Sequence, residues 1–354
     1  MSDPPASRPS SSRALFTAAA VVIIVAGLRA ASGILQPLLL AGFLAVLSFP
    51  FLAWLRRVGA RTLVAVAATV LADVGLLVGL GFLISGAVNE FAATAPDYAN
   101  ALVAKTRAGV TALEERGVTI SEWVAMDPID PRQLVELAGG LVGDTVRGVL
   151  SVLSNLALVA VTLIFVLYEL VAWPGKLEKA FGDPGPRRRF EDVFRELQRY
   201  FGVKTAVSMV TGLLVGTWCW ALGVDFPLLW GLAAFLLNYI PVLGPFIAAV
   251  PPVLMALIEF GGGRALVLAL GYLAVKILIG DLLEPRLMGR RFGLSTTVVL
   301  VSLVFWGWIW GALGMILSVP LTMTVKIALE HSSELSWVAG LLGRGPAPAP
   351  PPRA

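Results

Sequence analysis

Cysteine and histidine are nearly absent from this chain. One cysteine, Cys219, and one histidine, His331, occur in 354 residues. A single cysteine excludes an internal disulfide. One of each leaves no Cys/His set for a metal site or for a nucleophile with its base. Charge is scarce as well: Asp, Glu, Lys and Arg make up 14% of the chain, where soluble domains carry about 25%. A phosphate-binding loop is also missing, because "GGGR" at Gly261–Arg264 lacks the Gly-Lys-Ser/Thr that would complete one. These absences argue against an enzyme, and no catalytic residue, metal or cofactor is expected.

What the chain has instead is apolar length. Hydrophobic residues make up 57% of it and the mean hydropathy is +0.84. Runs long enough to span a bilayer recur at Ala14–Ala30, Ile34–Leu55, Thr62–Val88, Val149–Trp173, Thr205–Val224 and Ala265–Leu283. The net charge of +4 does not point to nucleic acid, since the basic residues cluster beside apolar runs and read as an orientation signal. The expected partner is the lipid bilayer.

The charges order the rest. Residues 1–13 read as disordered and 14–88 as three spans, the first a retained helix rather than a cleaved signal. A polar helical insert follows at 89–147, then a span at 148–173 and a basic segment at 174–204. Residues 205–330 form the core and 331–354 a Pro/Ala-rich tail. Pro174–Lys204 holds eight Lys/Arg and the longer insert only five, which puts the basic segment and both termini in the cytoplasm and the insert outside. Within the basic segment Phe190, Val193, Phe194, Leu197 and Phe201 share one helical face. Such a helix either lies in the membrane interface or packs on the inner face of the protein.

Two further apolar runs contain helix breakers. Phe226–Ile258 includes "NYIPVLGPFIAAVPP", with four prolines and a glycine. As one helix this run would be roughly 50 Å long, against a hydrocarbon core about 30 Å thick. Split at "PVLGP" it gives two arms of about fifteen residues, each too short to cross. The expectation is a re-entrant helical hairpin. Thr296–Leu329 carries an echo: "LGPFIAAVP" at Leu243–Pro251 aligns with "LGMILSVP" at Leu313–Pro320. Each follows a single span, so a helix–hairpin unit repeated in inverted orientation is expected, as in many secondary transporters. The fold class is thus an all-α integral membrane protein with about eight membrane segments, two of them re-entrant hairpins, and a polar extracytoplasmic helical insert.

Broken helices present backbone dipoles at membrane depth, where they can hold a polar solute or ion. The pathway candidates are Asn238, Tyr239, Ile240, Pro241, Gly244, Pro245 and Pro251 at one tip, with Gly311, Gly314, Ser318 and Pro320 at the other. The competing reading is that these residues only let helices pack closely. Ionisable groups in spans usually face a cavity or a partner. That makes Asp73, Lys276, Asp281, Glu284 and Arg286 candidates for ion coupling, with a structural Lys276–carboxylate pair as the alternative.

"GVDFPLLWGLAAFLLNYIPVLGPFIAAVPPVLMAL", "EPRLMGRR" and "WGWIWGALGMILSVPLTMTVKIALE" resemble the AI-2E family of transporters, the PerM-like permeases, most specifically over Tyr200–Glu330. The resemblance implies a bacterial inner-membrane location and a homo-oligomer, with a pentamer and elevator-like movement suggested. It also implies export of autoinducer-2 or sodium/proton antiport. Asp281 stands where relatives commonly have Asn, and Ser295-Thr296 where many have His-Pro. Autoinducer-2 is therefore not assumed as substrate. The expected activity is secondary transport or export of a small polar solute, with H+ or Na+ coupling open. A Na+/H+ antiporter and a non-transporting membrane scaffold are the alternatives.

Overall fold

The structure is a computed structural model that describes residues 11–115, 155–288, 294–330 and 340–342. The elements in chain order are α1 (Ser11–Ala30), α2 (Ser32–Arg57), α3 (Thr62–Glu114), α4 (Leu156–Phe181), α5 (Pro184–Ala221), α6 (Pro227–Leu237), α7 (Leu243–Phe260) and α8 (Gly262–Val275). From α8 the chain passes through a π-helical stretch, Lys276–Leu283, into α9 (Glu284–Met288), and α10 (Thr296–Glu330) closes the series.

Among the described residues seven helices are long and apolar enough to cross a membrane, and α6 is a shorter apolar helix. Their outer faces carry large exposed apolar side chains such as Phe82, Phe165, Trp220 and Val304. Water would penalise such a surface and hydrocarbon would not.

Two helices run further than the hydropathy pattern. α3 continues from the third apolar run to Glu114, so the helical stretch expected from Asp97 is part of the same rod, with Pro96 inside it. The rest of the insert, including Pro128 and Pro131, lies outside the described residues. α5 joins the basic amphipathic segment to the span after it in one helix of 38 residues. Asp183 caps its start by accepting from the Gly185 N–H at 3.0 Å. The apolar face of that segment is used within the chain. Phe190 stacks on Trp173 of α4, Phe194 meets Phe49 of α2 edge-on, and Phe201 meets Phe43. Of the two readings of this helix, packing on the protein's own face is the one observed.

Both breakers interrupt helix. α6 stops at Leu237 and α7 starts at Leu243, giving arms of 11 and 18 residues rather than two of about fifteen. The break comes early because Asn238–Val242 turns ahead of Gly244, and α7 alone is long enough to cross. In α10 the helical dihedrals fail at Trp310 and Gly311. Trp306 Nε1 then donates to Thr322 Oγ1 at 2.9 Å. Sixteen residues of straight helix would separate these two by roughly 24 Å, so α10 folds back on itself.

Contacts fix the directions. Arg199 of α5 donates to the Leu287 carbonyl, Lys204 pairs with Glu284, and Cys219 Sγ lies 3.8 Å from the Tyr272 hydroxyl. α5 therefore runs antiparallel to α8–α9, and α6–α7 begins and ends at the same end of the bundle. The extension of α3 touches both of those ends: Tyr98 donates to Asp225 at 2.5 Å and Lys105 to the Ile258 carbonyl. Likewise Ser295, before α10, donates its N–H to the Leu342 carbonyl beyond it. Leu342, beyond α10, thus lies beside the residue that precedes it.

Candidate functional site

α6 lies against α5 at backbone distance. A Cβ on Gly212 would sit 2.7 Å from the Gly231 carbonyl oxygen, and one on Gly231 would sit 3.2 Å from the Gly216 Cα. Small residues allow this approach, and it delivers the first tip to a polar stripe on α5. Asn238 Nδ2 donates to Ser208 Oγ at 2.9 Å, and the Tyr239 hydroxyl donates to Thr205 Oγ1 at 2.7 Å. One residue before Thr205, Lys204 Nζ is 2.7 Å from Glu284 Oε1, both ends largely buried.

The turn itself is tight. Val242 has φ of 63°, a region β-branched residues avoid. Gly244 is obligatory, because its Cβ would lie 1.8 Å from the Leu237 carbonyl oxygen. The tip amides of Asn238, Tyr239, Ile240, Leu243 and Gly244 are bonded to local carbonyls. What the tip presents to its surroundings is therefore the Asn238 and Tyr239 side chains rather than a cradle of free N–H groups.

On one side of the tip is a small cavity of about 20 Å³ whose walls are mostly apolar, from Val215, Ala234, Ala248 and Val275 among others, with Thr211, Asn238, Tyr272 and Lys276 as its polar-bearing side chains. That is room for about one water. Lys276 reaches it from the π-helical stretch, pairing with Asp281 Oδ2 at 2.7 Å and lying 5.7 Å from the centre of the Phe246 ring. The π turn explains the pair. Five residues in an α-helix advance about 500°, which leaves side chains on divergent faces. The i→i+5 pattern of a π-helix brings them together.

On the other side is an apolar cavity of about 150 Å³, where Leu236 and Tyr239 of the first tip meet Leu313 and Ile316 of α10. Thr205 also lines it, and its hydroxyl accepts from Tyr239. The space shared by the two breaks thus has mainly hydrocarbon walls, and the polar groups face α5 and α8.

The second break repeats the local device of the first. A Cβ on Gly314 would lie 2.0 Å from the Trp306 carbonyl oxygen, and Gly311 has φ of 62°. Gln36 of α2 donates to the Trp310 carbonyl freed there, and Trp310 Nε1 donates to the Leu28 carbonyl, both at 3.2 Å. Ser318 is buried and donates to the Met315 carbonyl of its own helix, and the Pro320 carbonyl accepts from Thr324.

Of the residues singled out in the sequence, Asn238, Pro245 and Lys276 meet at the small cavity beside the first tip, with Asp281 tied to Lys276. Ile240, Gly244 and Pro251 are buried supports of the hairpin, and Pro241 is half-buried at its tip. Glu284 is paired one turn away, and Arg286 is exposed at the end of α9. Asp73 stands apart, buried on α3. Sequence reading missed Lys204, Thr205, Ser208 and Thr211. Their signal was present: hydroxyls at 205, 208 and 211 keep i, i+3 spacing along an otherwise apolar run.

A family model described as "AI-2E family transporter" matches residues 18–334. The chain is 36% identical over 323 residues to "AI-2 transport protein TqsA" of Escherichia coli (strain K12), covering 91% of this chain and 93% of that protein. It is 34% identical over 336 residues to "Putative transport protein YhhT" of the same organism, covering 94% of each. A third relative, "Putative transport protein" of Haemophilus influenzae, is 34% identical over 342 residues, covering 94% of this chain and 96% of its own length.

Proposed function

The chain belongs to the AI-2E transporter family and is a multi-pass membrane protein, and from that premise we propose that it is a secondary transporter that exports a small polar solute. In this reading α6–α7 and α10 are re-entrant hairpins entering from opposite faces. Support comes from the direction of the packing: α5 runs antiparallel to α8–α9, which brings the chain before α6 and the chain after α7 to one end of the bundle, and Leu342 beyond α10 lies beside Ser295 before it.

The observation that carries the reading is the cavity at the first tip. Asn238 supplies a donor and an acceptor, Thr211 a hydroxyl and Lys276 a cation, all beside a helix break. Lys276 also lies near the C-terminal end of α6, where a helix dipole favours positive charge. The cavity as it stands holds about one water, so a solute enters when the tip withdraws from α5. The tip is held there by two side-chain hydrogen bonds, each worth about 1 kcal/mol net. A solute that bonds Asn238 replaces its contact with Ser208 and so offsets part of the cost of releasing the tip.

A hydroxylated or carboxylated solute of a few carbons fits this lining. TqsA is an AI-2 transport protein by name, and autoinducer-2 is therefore the first solute to test. Asp281, Ser295 and Thr296 leave the choice within that class open. The same reading places the protein in a bacterial inner membrane with both termini cytoplasmic, as a homo-oligomer.

The test is flux of autoinducer-2, then of a panel of small hydroxy acids, in proteoliposomes. Wild-type flux should exceed that of empty vesicles, and Asn238→Ala and Lys276→Met should each lower it at least tenfold. No flux of any member, with both variants indistinguishable from wild type in cells, would favour a scaffold instead.

A further inference from the structure

A groove of about 570 Å³ runs along the bundle between α3, α5 and α6. Leu76 and Leu80 of α3 form one wall, and Met209, Leu213, Leu228 and Phe235 the others. Its floor has no side chains where Gly212 and Gly216 of α5 approach Gly231 of α6. Among the described residues none with a charge lines it. Leu213, Trp220 and Leu228 are exposed along it. α3 and α5 each contain a stretch long and apolar enough to cross a membrane, so the groove faces hydrocarbon.

The groove adjoins the space between the two breaks. Leu76, Leu80, Thr205 and Phe235 line both it and the apolar cavity of about 150 Å³ described above. Leu76 is exposed and the other three are half-buried. Side chains with that freedom change rotamer quickly, so these four form a throat rather than a wall.

What fills this space must be apolar and flexible. A cavity of this size with hydrocarbon walls stays dry and accepts a hydrocarbon guest. Its hydroxyls make no demand for water, because Tyr239 donates to Thr205. A helix of a second copy, rigid and about 10–12 Å across, cannot turn inward between four side chains, whereas an acyl chain can. Trp220, exposed one residue before the end of α5, suits the headgroup level where indoles collect. Pro227 lines the same end of the groove, and Phe235 lies about 12 Å further along α6. Half a hydrocarbon core is roughly 15 Å thick. A chain anchored beside Trp220 therefore reaches the throat.

We propose that this groove binds one acyl chain of a membrane phospholipid and passes its terminal end into the cavity between the two breaks. There the chain packs against Leu236 and Tyr239 of the first break and Leu313 and Ile316 of the second. Binding needs no transported solute, so the site stands apart from the transport reading.

Photo-crosslinking of the full chain in phosphatidylethanolamine–phosphatidylglycerol vesicles tests this. The probe is a phosphatidylcholine with a diazirine on the terminal carbon of one chain, and adducts are located by mass spectrometry. They should fall on Leu313 or Ile316 in the cavity as well as on Leu213 in the groove. Leu76→Trp, a larger side chain at the exposed side of the throat, should abolish the cavity adducts and keep the groove adduct. A second probe needs no variant: with the diazirine beside the ester, adducts should move to the Trp220 end and leave the cavity unmarked. Adducts at exposed Phe165 and Val304 with none in the groove would mean that a second copy covers it, and would overturn the proposal. So would groove adducts without cavity adducts, cavity adducts unchanged by Leu76→Trp, or the same adducts from both probes.

Discussion

Gly244 and Gly314 are the described positions where an added methyl group would come nearest to a backbone atom. In each case the obstacle is a backbone carbonyl, of Leu237 or of Trp306, less than or equal to 2.0 Å from the added carbon. A flexible side chain could swing away, but a carbonyl at a helix break moves only if the turn opens. Overpacking of this kind costs about 1–3 kcal/mol or more. Gly244→Ala and Gly314→Ala should therefore each lower thermal stability in detergent and abolish transport. Gly280→Ala, where nothing stands within 4 Å of the added carbon, should leave stability nearly unchanged. Equal melting curves for all three would show that these close approaches are not what holds the hairpins. Glu284→Gln is the matching electrostatic case. It strands Lys204, whose side chain is 7% exposed, without its counter-charge. Breaking such a pair costs about 3–5 kcal/mol, whereas replacing both partners with apolar residues is close to neutral. The double variant Lys204→Met/Glu284→Leu should thus be more stable than Glu284→Gln alone in a denaturation series.

At the scale of elements, the hydroxyl stripe on α5 works as a latch for the first tip. Ser208→Ala removes the partner of Asn238, a bond worth roughly 0.5–1.5 kcal/mol, so local opening should become up to about tenfold more frequent. Hydrogen exchange should show this at the amides of Asn238, Tyr239, Ile240 and Gly244, with the middle of α6 unchanged. Exchange that rises equally along α6 would indicate general destabilisation rather than a latch. The sequence made the break itself legible, because Pro241, Gly244 and Pro245 cannot continue a helix. It hid the continuity of α3 and α5, because hydropathy reports where a helix is greasy rather than where it ends. α3 loses its apolar pattern near Val88 yet meets no breaker strong enough to stop it before Glu114. The i, i+5 pairing of Lys276 with Asp281 was equally hidden. It depends on a π-helical register, and no residue type announces one.

For the whole molecule, the decisive quantity is the side on which each loop emerges. Arg188 near the start of α5, Arg264 near the start of α8, Arg286 in α9 and Gly340 beyond α10 are all exposed. If α6–α7 and α10 both enter and return on one face, Arg188, Arg286 and Gly340 share a side and Arg264 lies on the other. Each can be replaced singly by cysteine on a Cys219→Ala background, because Cys219 is the chain's single thiol and is buried. A membrane-impermeant maleimide should then label Arg264→Cys from outside intact cells and the other three only after lysis. Should α6–α7 cross completely instead, the side of Arg264 would match that of Arg188, and Arg286 would move outside. Should α10 cross completely, Gly340 would be labelled from outside while Arg286 stayed protected. The positive-inside bias supports the first pattern, since Arg286 and the Arg290-Arg291 pair that follows would otherwise emerge externally. The antiparallel run of α5 against α8–α9 supports it independently. Labelling of Arg264→Cys and Arg286→Cys from the same side would contradict both lines of support at once, and with them the inverted hairpin pair on which the transport reading depends.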